Sequence, residues 1–367
     1  MNTEANKALR VIIAGGGTGG HLFPGVAAAR EMVKRKEGAE ILFVTGRKAI
    51  ESEILRRNGF LQTPIMVEGI KGRGWKKAAV VLLRLPWSML QSFMIIRRFS
   101  PQLVLGMGGY SAGPVCVAAK MMGIPSAIHE QNSFPGLTNR LLCRIVDRVF
   151  ISFEESREHF PGGTIVLTGN PVREELLAAR ERPFEEEKKF TILIMGGSQG
   201  ARAINEAFLE ALGVLRERGR DPMVIHQTGR GDHSQVLENY RKRGFEGRVV
   251  PFIEDMVSAY READMVISRA GATTVSELAA LGKPSILIPY PYAANRHQET
   301  NALILLRAGG AEMILQQDLS GKALAALLMR YMEDRAALEK MGESARAVGR
   351  PDAVGIIADM LMDMMKK

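Results

Sequence analysis

Val11-Ile12-Ile13-Ala14-Gly15-Gly16-Gly17-Thr18-Gly19-Gly20 and Ile192-Leu193-Ile194-Met195-Gly196-Gly197-Ser198-Gln199-Gly200-Ala201 are the same pattern written twice. Four apolar residues, a glycine-rich turn and the start of a helical pattern follow each other in both. A short apolar run that meets glycine and then a helix reads as a buried parallel strand feeding a crossover helix. The repeat therefore predicts two Rossmann-like halves, each opening with strand, glycine loop and helix.

The rest of the chain fits that reading. Apolar runs at 10–14, 40–45, 102–106, 125–129, 147–151, 190–195, 222–227, 248–252, 264–268, 284–289 and 311–315 alternate with helical patterns. Such alternation predicts parallel sheets covered by helices on both faces. The expected domains are 1–170, 171–345, and a helix at 346–367 that packs back toward the first. The boundary is placed at Gly169-Asn170-Pro171, and the last helix carries an apolar stripe at Val354, Ile357, Leu361 and Met364.

Composition narrows the class. The chain has 367 residues with 46% hydrophobic and 24% charged side chains, enough for two ordinary cores. The formal charge of +9 suits nucleic acid, an anionic membrane surface or a phosphorylated substrate, and does not choose among them. Cys116 and Cys143 lack metal-ligand spacing and form no disulfide framework, so a reducing compartment is expected. The polar start MNTEANKALR does not read as a signal peptide. The most apolar stretch, 78–96, is interrupted by Arg84, Pro86 and Gln91, so no membrane span is expected.

Loop 15–20 satisfies G-x-G-x-x-G, a weak signal alone. Dinucleotide binding wants an acid ending the second strand, and Val44-Thr45-Gly46-Arg47 has none there. NAD is disfavoured, and Arg47 leaves NADP open. Two such loops favour phosphate or diphosphate ligands at helix N-termini. His21 follows the first loop. It is either a base for a sugar hydroxyl or a helix-start histidine that only bonds the loop. Gly106-Met107-Gly108-Gly109-Tyr110-Ser111 offers another nest of amides or an ordinary turn. His129-Glu130-Gln131-Asn132 falls at a strand end, where ligand crevices open.

The stretch Ser268-Arg269-Ala270-Gly271-Ala272-Thr273-Thr274-Val275-Ser276-Glu277 is the most informative. A strand ends, glycine turns the chain and small residues start a helix whose first N–H groups suit a diphosphate. Glu277 reads as a ribose acceptor, or as a charge that stabilises the helix start. Gln298 and Asn301 share a helix face, and amides suit hydroxyl-rich sugars. There is no D-x-D and no metal-ligand cluster, so a mechanism with no metal and no cofactor is expected. Residues 71–99 hold Trp75 and Trp87 with aliphatics, flanked by Lys71, Arg73, Lys76, Lys77, Arg97 and Arg98. They read as a helix lying on an anionic bilayer or as a buried crossover helix.

Together these stretches, with Gly169-Asn170-Pro171-Val172-Arg173, resemble the signatures of the MurG family of glycosyltransferases, in order from residue 11 to about 345. The tail 1–8 and the stretch 178–189 lie outside the resemblance. It implies a GT-B fold, two Rossmann-like domains with parallel sheets facing across a cleft. It implies transfer of GlcNAc, with inversion, from UDP-GlcNAc to the MurNAc 4-OH of lipid I, a polyprenyl-diphosphate acceptor, to give lipid II. The implied location is the cytoplasmic face of the bacterial inner membrane, peripherally bound to its anionic surface. The resemblance assigns Thr18, Gly19 and Gly20 to the first diphosphate loop and Asn132 and Arg173 to the donor side. Ser198 is assigned to the UDP phosphates and the Ile253 backbone to uracil. Ala272, Thr273, Thr274, Val275, Ser276 and Glu277 are assigned to the diphosphate and ribose, and Gln298 with Asn301 to the GlcNAc hydroxyls. The competing readings are another enzyme on this fold, such as a UDP-GlcNAc 2-epimerase, and a basic nucleotide- or nucleic-acid-binding module. No RNA-binding aromatic platform or DNA-reading motif supports the second, so no nucleic-acid partner is expected.

Overall fold

The computed structural model describes residues 8–17, 19–67, 74–177, 189–197 and 200–366, with the backbone alone for 74–84. The chain divides into two compact units, residues 1–173 with 351–367, and residues 174–350.

The first unit holds one parallel sheet. Its strands are β1 (Arg10–Ala14), β2 (Glu40–Thr45), β3 (Leu61–Pro64), β4 (Leu103–Gly106), β5 (Ser126–Glu130), β6 (Arg148–Ile151) and β7 (Ile165–Leu167). Their order is β3-β2-β1-β4-β5-β6-β7. Val11 and Ile13 face one apolar core with Leu22, Val26, Phe43 and Leu105. Ile12 and Ala14 face the other with Val104, Val115 and Ile128. A strand buried on both faces has no polar side to show, which is why β1 is a continuous apolar run. Ile357, Leu361 and Met364 of the helix Ala353–Met364 complete the first of these cores, beside the helix Gly19–Arg35. Arg35 pairs with Glu31 on its own helix and with Asp359 on the other.

The second unit repeats the plan. Its strands are β8 (Thr191–Met195), β9 (Met223–Gln227), β10 (Arg248–Val250), β11 (Met265–Ser268), β12 (Ser285–Leu287) and β13 (Glu312–Met313), ordered β10-β9-β8-β11-β12-β13, again all parallel. Ile192, Ile194, Phe208, Leu212, Leu324 and Leu328 sit in its core.

In both sheets the strand order reverses beside the first strand, between β1 and β4 and between β8 and β11. Neighbouring loops diverge at such a point, and ligands bind at the carboxyl ends of the strands there. Four of the glycine-containing turns, after β1, β4, β8 and β11, flank these two points. β3 and β7 were not among the expected strands. Both are short edge strands with partly exposed side chains: β3 has no apolar run, and the apolar run of β7 is only three residues long.

Candidate active site

In the first unit the turn after β1 is tightly tied. Gly15 N–H donates to Val44 O at 3.1 Å. Gly17 N–H donates to the buried carboxylate of Glu51, and Lys48 Nζ donates to Gly17 O at 2.7 Å. These two loop amides therefore have acceptors within the protein. Gly19 and Gly20 begin the helix Gly19–Arg35 directly after this turn. The turn after β4 docks on it. A Cβ at Gly109, whose φ is +76°, would lie 2.6 Å from Gly16 O, so only glycine fits.

His21 lies over Gly108, where a Cβ would stand 3.3 Å from the ring. Its Nδ1 is 2.9 Å from Gln131 Oε1. Gln131 Nε2 donates to Met107 O at 3.0 Å and faces His129 Nδ1 at 3.2 Å. His129 Nε2 reaches Gly169 O at 3.0 Å. His129 is fully buried, and desolvation lowers its pKa to about 4. Next to it the buried Glu130 carboxylate accepts from Asn132 N and Nδ2, Gly136 N and Asn139 Nδ2, which shapes the 131–139 loop. Arg173 stacks on Phe23, 5.3 Å from the ring centroid.

In the second unit the glycines after β8 are dictated by contact. A Cβ at Gly196 would meet Ala201 N at 2.3 Å, and one at Gly200 would meet Thr228 O at 2.3 Å. Gln227 spans this site, donating to Gly197 O at 2.9 Å and accepting from Ile253 N at 3.3 Å. The helix Ala272–Leu281 starts with Gly271 as N-cap, no capping side chain and no acidic residue in its first turn. Its macrodipole is thus not answered locally, which favours an anion at its N-terminus. Glu277, one turn in, is 7% exposed and accepts from the fully buried Tyr260 hydroxyl at 3.0 Å. Arg269 precedes this helix. Its guanidinium donates to Ile288 O and Pro289 O, both at 3.1 Å, and to Gln316 Oε1 at 2.6 Å. All three acceptors are neutral, and desolvation holds its pKa below the ordinary value. Gln298 Oε1 accepts from Tyr290 N at 2.9 Å, and Asn301 Nδ2 donates to Ala270 O at 3.2 Å.

In the first unit the structure joins His21, directly after Gly19 and Gly20, to Gln131, the neighbour of Asn132. In the second, Ile253 is joined to Gln227, Glu277 to Tyr260 and Gln298 to Tyr290. Asn301 is fully buried beneath the 270–271 turn, so it ties that turn to its own helix rather than presenting an amide at the surface. Thr18 and Ser198 lie outside the described residues. Glu51, Gln227 and Arg269 were not singled out in the sequence. A lone acid or amide has no periodic signal, and only the fold shows where it bonds. Among the described residues no group of three His, Cys, Asp or Glu has the geometry to hold a metal ion.

The model of the glycosyltransferase family 28 N-terminal domain matches residues 11–151, and that of the family 28 C-terminal domain matches residues 191–355. The UDP-N-acetylglucosamine–N-acetylmuramyl-(pentapeptide) pyrophosphoryl-undecaprenol N-acetylglucosamine transferase of Syntrophus aciditrophicus (strain SB) is 46% identical, over 98% of this chain and 99% of its own. The enzyme of the same name from Myxococcus xanthus (strain DK1622) is 44% identical, over 97% and 93%. A crystal structure of Acinetobacter baumannii MurG superposes with a TM-score of 0.76 at 30% identity, covering 97% of this chain and 99% of that one. The UDP-GlcNAc 2-epimerase of Neisseria meningitidis, bound to UDP-GlcNAc, gives 0.69 at 14% identity over 97% and 100%, a likeness of fold alone.

Proposed function

This chain belongs to glycosyltransferase family 28, among the MurG transferases, and from that premise we propose how its residues divide the work. The enzyme transfers N-acetylglucosamine from UDP-GlcNAc to the N-acetylmuramyl group of a pyrophosphoryl-undecaprenol acceptor, the lipid I to lipid II step of peptidoglycan synthesis. The epimerase reading rests on fold alone and falls away.

The second unit holds the donor. The diphosphate lies at the start of the helix Ala272–Leu281, the ribose hydroxyls meet Glu277, and uracil meets the Ile253 backbone; Ser198 is the residue assigned by sequence to the UDP phosphates. With Ile253 N–H engaged by Gln227, its carbonyl is the group left for the base. Gln298 donates through its amide nitrogen to the sugar, since its oxygen is occupied by Tyr290 N–H. The first unit supplies the proton acceptor and, through Gly19 and Gly20, part of the acceptor diphosphate site. Asn132 and Arg173 line the donor side of the reaction. His21 Nε2 takes the proton of the MurNAc 4-OH, the oxygen attacks the anomeric carbon, and UDP leaves with inversion. Helix N–H groups, with the Arg269 charge nearby in sequence, answer the negative charge that develops on the leaving diphosphate.

The single observation that carries this reading is the uncapped helix start at residue 272, at the strand-order reversal of the second sheet. Purified protein incubated with radiolabelled UDP-GlcNAc and a lipid I analogue is expected to yield a labelled lipid disaccharide and equimolar UDP. UDP release that does not depend on acceptor contradicts it.

Such an acceptor stays at a bilayer, and the enzyme works on the cytoplasmic face of the membrane as a peripheral protein. On the helix Gly74–Phe99, Leu85, Trp87, Leu90 and Met94 are exposed apolar side chains, followed by Arg97 and Arg98. Residues 87, 90 and 94 share one helix face, which suits shallow insertion into an anionic leaflet. Lys71 and Arg73 lie outside the described residues, as do the side chains of Trp75, Lys76 and Lys77. Among the described residues no helix is long and apolar enough to cross a membrane. Co-sedimentation with liposomes is expected to rise with anionic lipid content and fall with salt.

A further inference from the structure

We infer that Gln131 is a positioning residue that sets the tautomer of His21, holding the proton on Nδ1 so that Nε2 is the lone-pair nitrogen. The inference rests on the assignment of His21 as the base and adds what makes it one.

The polarity of the chain of bonds follows from its fixed end. Met107 O is a carbonyl and only accepts, so the group 3.0 Å from it is the Gln131 amide nitrogen. The other end of that amide, the oxygen, therefore faces His21 Nδ1 at 2.9 Å. An amide oxygen only accepts, so Nδ1 carries the hydrogen, and the neutral ring keeps its lone pair on Nε2. The second N–H of the amide points at His129 Nδ1, which must then be the acceptor. Its own Nε2 carries a hydrogen, and that hydrogen meets Gly169 O, again an obligate acceptor. Two backbone carbonyls thus terminate the chain, and every donor and acceptor between them has one consistent assignment. Gln131 is nearly fully buried and His129 fully buried, so water does not compete for these groups. Gly108, with a φ of +86° and no side chain, lets the His21 ring approach. The charged and titratable groups on the surrounding elements are His129 and Glu130 at the end of β5, Glu51 and Lys48 at the first glycine loop, and Arg173 on Phe23. Of these, only His129 bonds the Gln131 side chain directly, through its Nδ1.

The chain has only six histidines, so ring-15N labelling with long-range proton–nitrogen correlation reads each tautomer directly. In the wild type, His21 is expected as the Nδ1–H form and His129 as the Nε2–H form. Gln131→Met removes the bonds to His21, Met107 O and His129 at similar side-chain length. It is expected to abolish the His21 preference and to lower kcat about 10- to 100-fold, part of the roughly 10²–10⁴ contributed by a general base, with the UDP-GlcNAc KM within twofold. Gln131→Glu keeps an oxygen acceptor beside His21 Nδ1. It is expected to keep the Nδ1–H tautomer and to retain more of kcat than Gln131→Met, a rescue that a merely structural defect does not produce. A wild-type His21 protonated on Nε2, or a Gln131→Met enzyme with unchanged kcat, overturns the inference. His21→Ala separates the two layers. If it weakens only binding, the base assignment fails, and the NMR result still decides the tautomer.

Discussion

Tyr260→Phe removes one hydroxyl from the second unit, and its consequences can be worked out in advance. The hydroxyl is fully buried and donates at 3.0 Å to Glu277 Oε2. A hydrogen bond to a charged group contributes about 1.5–3 kcal/mol, so unfolding free energy should drop by about that amount. The catalytic effect should be smaller and should pass through Glu277. Glu277→Ala deletes the carboxylate proposed to accept from the ribose. A loss of about 1–3 kcal/mol there corresponds to a roughly 5- to 150-fold rise in donor KM. Tyr260→Phe leaves the carboxylate in place and only frees its orientation, so a rise of about three- to fivefold is expected, within the cost of ordering one side chain. Because Tyr260 acts through Glu277, the double variant should have the KM of Glu277→Ala, and the two effects should not add. The assay is initial-rate titration of UDP-GlcNAc at saturating acceptor analogue, with urea unfolding of the same four proteins. A Glu277→Ala donor KM within twofold of wild type removes Glu277 from the site. A further rise on adding Tyr260→Phe means that the tyrosine acts by another route.

His21→Ala should lower kcat by about 10²–10⁴ while calorimetric UDP-GlcNAc affinity stays unchanged. Activity should persist in excess EDTA, because a diphosphate met by the N–H groups of the 272–275 turn needs no cation, and a loss restored by magnesium contradicts this. Stability should fall on acidification. Burial lowers His129 to about 4 and His226 to about 3, from 6.5. The unfolded chain therefore binds protons at these rings before the native one does, and each ring costs about 3 kcal/mol by pH 4. The decline starts near pH 6.5, and a flat melting temperature between pH 6.5 and 4.5 would exclude it. Leu361→Ala should destabilise the first unit by about 2–5 kcal/mol, read as a lower midpoint in urea.

Much of this was legible from residue order. The two glycine loops announced two sheets because β1 and β8 are buried on both faces, and a central parallel strand must be apolar throughout. β3 and β7 escaped because an edge strand needs neither alternation nor a long apolar run. The strand, turn and helix start at 268–272 were legible, since small residues after a strand state what the turn must be. The site was not legible where side chains act at a distance. Gln131 was seen only as one of four polar residues in a row, and its tie to His21 crosses 110 positions. Asn301 was placed on the correct helix face, but helical spacing does not report depth, and it lies under the turn.

The first unit is made of two separate stretches of chain, and that has a consequence for its birth on the ribosome. Synthesis is vectorial, and domains generally fold as units as they emerge. Residues 174–350 are contiguous and can close their core as soon as they are out. The earlier-made 1–173 cannot, because one face of their sheet waits for Ile357, Leu361 and Met364. The half that carries His21 is therefore finished second although it is translated first. Until then a nascent chain carries an open apolar face, the kind of surface that chaperones hold. A translation stall or premature stop after residue 350 leaves the second unit intact and its partner unfinished.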